Sequence, residues 1–94
     1  MKFAPAALSD LGEIYDYSAE RWGVEQADRY IRLLEETGRE LAAGAKTGLD
    51  AATLRQGYRR QFTGSHVLFY KENADELTVV RVLHQRMDAA NRLE

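Results

Sequence analysis

The chain contains no cysteine, so neither a disulfide nor a thiolate-bound metal can help hold it together. Its one proline is Pro5, and no repeat, low-complexity tract or linker interrupts it. No apolar run approaches the roughly 20 residues of a membrane span, and the start MKFAPAALSD lacks a signal-peptide profile. The expected location is therefore the cytoplasm, with no membrane partner. The loop glycines Gly44, Gly48, Gly57 and Gly64 never combine into a phosphate cradle. Ser9, Ser18 and Ser65 stand in no strained nucleophile turn, and His66 and His84 are not at a metal-ligand spacing. No cofactor, metal or catalytic residue is expected.

What is present is an ordinary globular composition, 45% hydrophobic and 30% charged over 94 residues. That length makes residues 1–94 a single domain with a thin margin of stability. The formal charge is −2, but it is unevenly spread. Residues 1–54 carry ten acids against six bases, a balance of −4, and residues 55–94 carry seven bases against five acids, a balance of +2. The second half therefore leans towards an acidic partner, too weakly to mark a nucleic-acid binder.

The apolar residues repeat first at helical and then at strand spacing. Lys2 and Phe3 leave room for a short strand, and Pro5 suits the first position of a helix. Ala7, Leu8, Leu11, Ile14, Tyr15 and Ser18 then share one helical face, with the acids off it reading as a solvated surface. Gly23 ends that helix. Ala27, Tyr30, Ile31, Leu34, Leu41 and Ala42 form a second stripe, so the two helices fold back as an antiparallel hairpin. GAKTGLDAATL (44–54) reads as a loop. The period then drops to two, giving strands over 58–62, 66–71 and 77–84, with Asp88 placed to cap a final helical turn. The expected fold is α+β: a short N-terminal strand, a helix hairpin and a three-stranded antiparallel meander, with the helices packed on one face of the sheet.

The segment LTVVRVLHQRMD (77–88) poses the functional question, because Arg81 interrupts the most apolar strand. Strict alternation would send Leu77, Val79, Arg81 and Leu83 to one side and Thr78, Val80, Val82 and His84 to the other. Arg81 then either pairs with an acid from the helices or meets an anionic partner on an uncovered face. Arg59, Arg60, Arg81, His84 and Arg86 are its basic group. Trp22 and Met87 read first as core or edge filler.

Across nearly its whole length the chain resembles the ParE toxins of the RelE/ParE superfamily. The resemblance rests on PAALSDLGEIYDYSAERWG with Asp10-Leu11, Ile14, Tyr17 and Trp22-Gly23, on QADRYIRLL, on Gly48, on GYRRQFTGSHVLFY, and most specifically on VVRVLHQRMD. Lys46 replaces a frequent proline, and Ala4 a helix-capping Ser whose loss weakens the helix start by roughly 1 kcal/mol. The resemblance implies a cofactor-free toxin that inhibits DNA gyrase by binding, is neutralised by a ParD-like antitoxin, and reads no nucleic-acid sequence directly. Alternatives are the ribosome-dependent mRNA cleavage of RelE-like relatives, or a non-toxic interaction module. Cleavage is disfavoured because Lys occurs only at 2, 46 and 71, the tail has no Tyr, and the net charge is negative. The expected partner surface comprises Arg59, Arg60, Arg81, His84, Arg86 and Met87, with Leu68 and Tyr70 as exposed apolar positions beside the helices.

Overall fold

Pro5 opens the first helix where its missing N–H leaves no bond unmade. In the computed structural model, which describes residues 1–93, this helix is α1, Pro5–Trp22. Before it lies β1, Lys2–Phe3, and after it α2, Val24–Ala42. Gly23 alone separates the helices, at a φ of 92° that a side chain would strain. Then follow β2 (Leu49–Asp50), β3 (Arg59–Thr63), β4 (His66–Glu72), β5 (Leu77–His84) and a 3-10 turn at Ala89–Asn91. Asp88 precedes that turn but does not cap its backbone; its carboxylate accepts from the Asn91 side chain at 2.6 Å.

The class is the expected α+β, but the sheet has five strands in the order β1-β5-β4-β3-β2. The added strand, β2, pairs antiparallel with Arg59–Arg60 inside what reads as a loop. Two residues are too few to show a period. β1 lies parallel to β5, aligning Lys2 with Thr78 and Phe3 with Val79. Ala4 offers no capping side chain, but its N–H donates to Val79 O at 2.8 Å, so the sheet anchors the helix start instead.

The helices bury a seam against the sheet. Ala7, Leu11 and Leu34 meet Leu68, Tyr70, Leu77, Val79 and Val82 in one cluster, with Ile14, Tyr30 and Ile31 packed on it. Leu8 and Ala42, expected on these stripes, are exposed instead. Leu8 lies about 100° around the axis from Ala7 and misses the seam. Gly38 is buried because β1 crosses there: a Cβ would stand 3.4 Å from both Met1 and Phe3 side chains. Gly48 is needed for closer approach still, since a Cβ would sit 2.5 Å from Arg60 O. Its N–H donates to the Tyr70 hydroxyl at 2.9 Å, tying the loop to the sheet.

The opposite face of the sheet is not open. Val67, Phe69 and Leu83 form a second core there with Ala51, Tyr58 and Leu93, supported by Leu54, Val80 and Ala89. The loop after β2 and the C-terminal segment thus cover the side expected to be free. A break in pairing register reassigns the faces of β5. Phe69 pairs with Arg81 while its neighbour Tyr70 pairs with Val79, leaving Val80 as an extra residue. Leu77, Val79 and Val82 consequently share the helix-side core, whereas Val80 and Leu83 lie in the other. Strict alternation along β5 fails at that bulge.

Candidate functional site

Arg81 does not front an open platform; it is held by the chain's own acid. Beyond Val79, β5 has lost its β1 neighbour. α1 brings Asp10, only 8% exposed, against this bare edge. The Asp10 carboxylate accepts from Arg81 Nε and Nη2, both at 2.8 Å, and from the backbone N–H of Val82 at 2.9 Å. Arg81 Nη1 also donates to Arg92 O at 2.9 Å. One guanidinium therefore ties α1, the edge of β5 and the C-terminal segment together, and a bidentate pair of this kind is strong and directional. The expectation that the helix acids form only a solvated face fails at Asp10.

The other expected site residues scatter. Arg59 and Arg60, consecutive on a strand, point to opposite faces. Arg59 Nη2 donates to Gly48 O. The Arg60 guanidinium lies 5.5 Å over the Phe62 ring, and its Nε is buried with no hydrogen-bond partner among the described residues. Leu68 and Tyr70 are 0% and 1% exposed, so neither can be the surface contact expected of it. They lie in the helix-side core because α1 and α2 cover that face of β4. Arg86 and Met87 are exposed beyond the end of β5. His84, Arg81 and Met87 do come together, lining a groove of about 330 Å³ with Asp10, Glu13 and Tyr17.

A second cleft, of about 360 Å³, adjoins this groove and shares Tyr17, His66 and His84 with it. α1 contributes Tyr17, Ser18 and Trp22; α2 contributes Gln26 and Tyr30; the β3–β4 turn and the strand ends contribute Ser65, His66 and His84. Trp22, expected as filler, is 60% exposed, and its ring meets Tyr17 edge-on at 6.0 Å. Arg21 lies over both rings, at 5.5 and 5.4 Å. The sequence shows these residues but not their meeting, since Tyr30 and His66 are 36 positions apart.

Hydrogen bonding assigns the protons of the cleft. The Tyr30 hydroxyl accepts the Ser65 N–H at 3.0 Å and lies 2.6 Å from His66 Nδ1. We assign its proton to that nitrogen, which leaves the His66 ring proton on Nε2. His84 Nδ1 accepts the Arg86 N–H at 3.1 Å, so a neutral His84 also carries its proton on Nε2. The rings meet edge-on at 5.3 Å. Burial, and then the neighbouring His84, lower the His66 pKa from 6.5 to about 4 against an opposing pull from Asp10, so His66 is neutral at pH 7. Among the described residues no group of three His, Cys, Asp or Glu is placed to hold a metal, and no helix is long and apolar enough to cross a membrane.

Comparison with known proteins agrees with this geometry. Residues 1–89 match the family model described as "ParE toxin of type II toxin-antitoxin system, parDE". Toxin ParE1 of Mycobacterium tuberculosis is 44% identical over 91 residues, covering 96% of this chain and 93% of that protein. Toxin ParE1 of Caulobacter vibrioides is 45% identical over 87 residues, covering 93% of this chain and 90% of the relative. Toxin ParE of Escherichia coli is 38% identical over 88 residues, covering 93% and 85%. A solved structure titled "Chromosomal ParDE TA system from P. aeruginosa" shares the fold, with a TM-score of 0.75 at 21% identity over 88% of this chain and 91% of that one. With its helix hairpin docked on a mixed sheet and its sequence matched almost from end to end, this chain belongs to the ParE toxin family of type II toxin–antitoxin systems.

Proposed function

We propose that this chain is a cytoplasmic toxin that inhibits DNA gyrase by occupying its surface, without bond chemistry of its own, and that a ParD-like antitoxin neutralises it. The observation carrying the binding mechanism is the Asp10–Arg81 pair. Cleaving a phosphodiester needs cations ready to take up the charge that develops on the phosphate. Arg81, the cation at the heart of the strand, already gives two of its donors to Asp10 and a third to Arg92 O. Admitting a phosphate means taking Arg81 away from Asp10 and leaving that nearly buried carboxylate without its cation, which opposes the exchange. Arg59 is likewise committed to Gly48 O. What remains accessible, Arg86, Met87 and the cleft rim with His84, suits contact with a protein surface rather than transfer of a proton to RNA.

The test pairs two assays. Purified toxin is added to gyrase supercoiling reactions with and without its co-encoded antitoxin, beside a ribosome-dependent mRNA cleavage assay. The expected outcome is loss of supercoiling, restored by antitoxin, with the mRNA intact. Intact supercoiling together with cut mRNA would reverse the assignment.

A further inference from the structure

The cleft between the helix hairpin and the β3–β4 turn contains hydrogen-bonding groups that the fold leaves unused. His66 and His84 both spend Nδ1 on neighbours, which leaves two Nε2–H donors with no acceptor among the described residues. Ser18 is 5% exposed, faces the cleft, and its hydroxyl makes no hydrogen bond among the described residues. All three groups reach solvent, since the one buried side-chain nitrogen or oxygen without a partner among the described residues is Arg60 Nε, so whatever enters the cleft must replace the water they meet. At the edge of β5 the protein supplies such an acceptor itself, Asp10 for the Val82 N–H. Here it does not.

The lining also restricts what can enter. It includes no Lys, Arg, Asp or Glu, and His66 is neutral. Arg21 lies over the Tyr17 and Trp22 rings but outside the lining, so a phosphate or free carboxylate inside the cleft would meet no Lys or Arg, and burying an unpaired ion is costly. An uncharged group that brings a hydrogen-bond acceptor suits the two Nε2–H donors. The rim is aromatic, with Trp22 and Tyr17 already edge-on to each other, so a third ring can join in the same geometry. A volume of about 360 Å³ admits one aromatic side chain and the peptide unit that carries it.

We propose that this cleft, framed by Trp22, Ser18, His66 and His84, is the seat of an aromatic anchor residue from the antitoxin, whose main-chain carbonyl accepts from a histidine Nε2–H. The inference rests on the toxin–antitoxin reading above and names the site and chemistry at which that partner is gripped. The neighbouring groove, where Asp10 and Arg81 neutralise each other, takes the flanking peptide. The anchor supplies the desolvated centre that carries most of the affinity in interfaces of this kind.

Trp22 is the only tryptophan in the chain, so its fluorescence reports directly on the cleft. Full-length toxin is titrated with its co-encoded, tryptophan-free or tryptophan-substituted antitoxin, following the emission maximum and quenching by acrylamide. Affinities of Trp22→Ala and Gln26→Phe are measured by calorimetry. Gln26 is exposed on α2, so a phenylalanine there plugs the cleft without touching the core. A blue shift, protection from quenching, and affinity weakened about 10-fold or more in both variants are expected. Replacing the antitoxin's aromatic anchor with alanine should give the same loss. Tight binding that leaves Trp22 quenchable, with both variants within about twofold of wild type, overturns the cleft assignment and leaves the toxin–antitoxin reading standing. Failure of the antitoxin to bind at all instead brings down that reading and this inference with it. Protection of Trp22 on concentrating the toxin alone would make the occupant a second copy, which overturns the assignment to the antitoxin.

Discussion

Two adjoining hollows share Tyr17, His66 and His84, and they differ in how the chain has treated their polar groups. In the groove along β5, the carboxylate of Asp10 takes both the guanidinium of Arg81 and the edge N–H of Val82. In the cleft beside it, two imidazole donors and a serine hydroxyl are presented without acceptors among the described residues. The groove uses its charges to hold the fold together, whereas the cleft presents hydrogen-bond donors that nothing among the described residues uses. A conspicuous cation in a strand is thus a poor guide to function, because the more strongly a charge demands a partner, the more readily the fold provides one.

The largest effect expected from disturbing this contrast is on the closed side. Asp10→Ala strands a partly buried guanidinium and an edge N–H, and should cost about 3 kcal/mol or more, a fall of roughly 10–20 °C in Tm for a domain of this size. Asp10→Asn keeps an acceptor and should cost less. Urea unfolding measures both, and an unchanged midpoint for the alanine variant would show that Asp10 does not hold the edge of β5.

An intermediate effect is expected from pH at the boundary between the hollows. Folded, His66 stays unprotonated down to about pH 4, whereas the unfolded chain protonates it near the ordinary 6.5. The unfolded state therefore binds more protons between those limits. Stability from this group is complete above pH 6.5 and is lost as pH falls towards 4. The ring is only half-buried, so solvent screening reduces the effect to about 1–2 kcal/mol. Urea midpoints of wild type and His66→Gln, compared from pH 7 to pH 4.5, isolate this contribution. The variant should lose less stability over that range, and parallel curves would contradict the assignment.

The smallest effect belongs to the open side. Trp22 is 60% exposed, so Trp22→Ala should change stability by no more than about 0.5 kcal/mol, even as it weakens antitoxin binding. Thermal unfolding checks this, and a loss of several kcal/mol would make Trp22 structural.

Much of the architecture was legible in the sequence because local periodicity carries it. The stripes around Leu11 and Leu34 called for two packed helices, Gly23 for the break between them, and the alternation after Tyr58 for a meander. The family was legible too, through segments such as VVRVLHQRMD. The failures have a common cause. Leu68 and Tyr70 read as exposed, Trp22 as filler and the far face of the sheet as bare, and Arg81 was placed on the partner surface while a pair with a helix acid stayed open; each of these depends on which distant residues arrive nearby. The bulge at Val80 lies in the pairing between strands, and no pattern within β5 announces it.

The sequence by itself determined that this is a small, disulfide-free α+β domain of the ParE kind, because apolar spacing and turn residues act over a few positions at a time. Only the tertiary structure decided that Arg81 belongs to Asp10, 71 residues away in the chain, and that the histidine donors face a cleft rather than a partner of their own. Charge pairing and burial depend on distance in space, and chain order does not contain that distance until the helices have closed over the sheet.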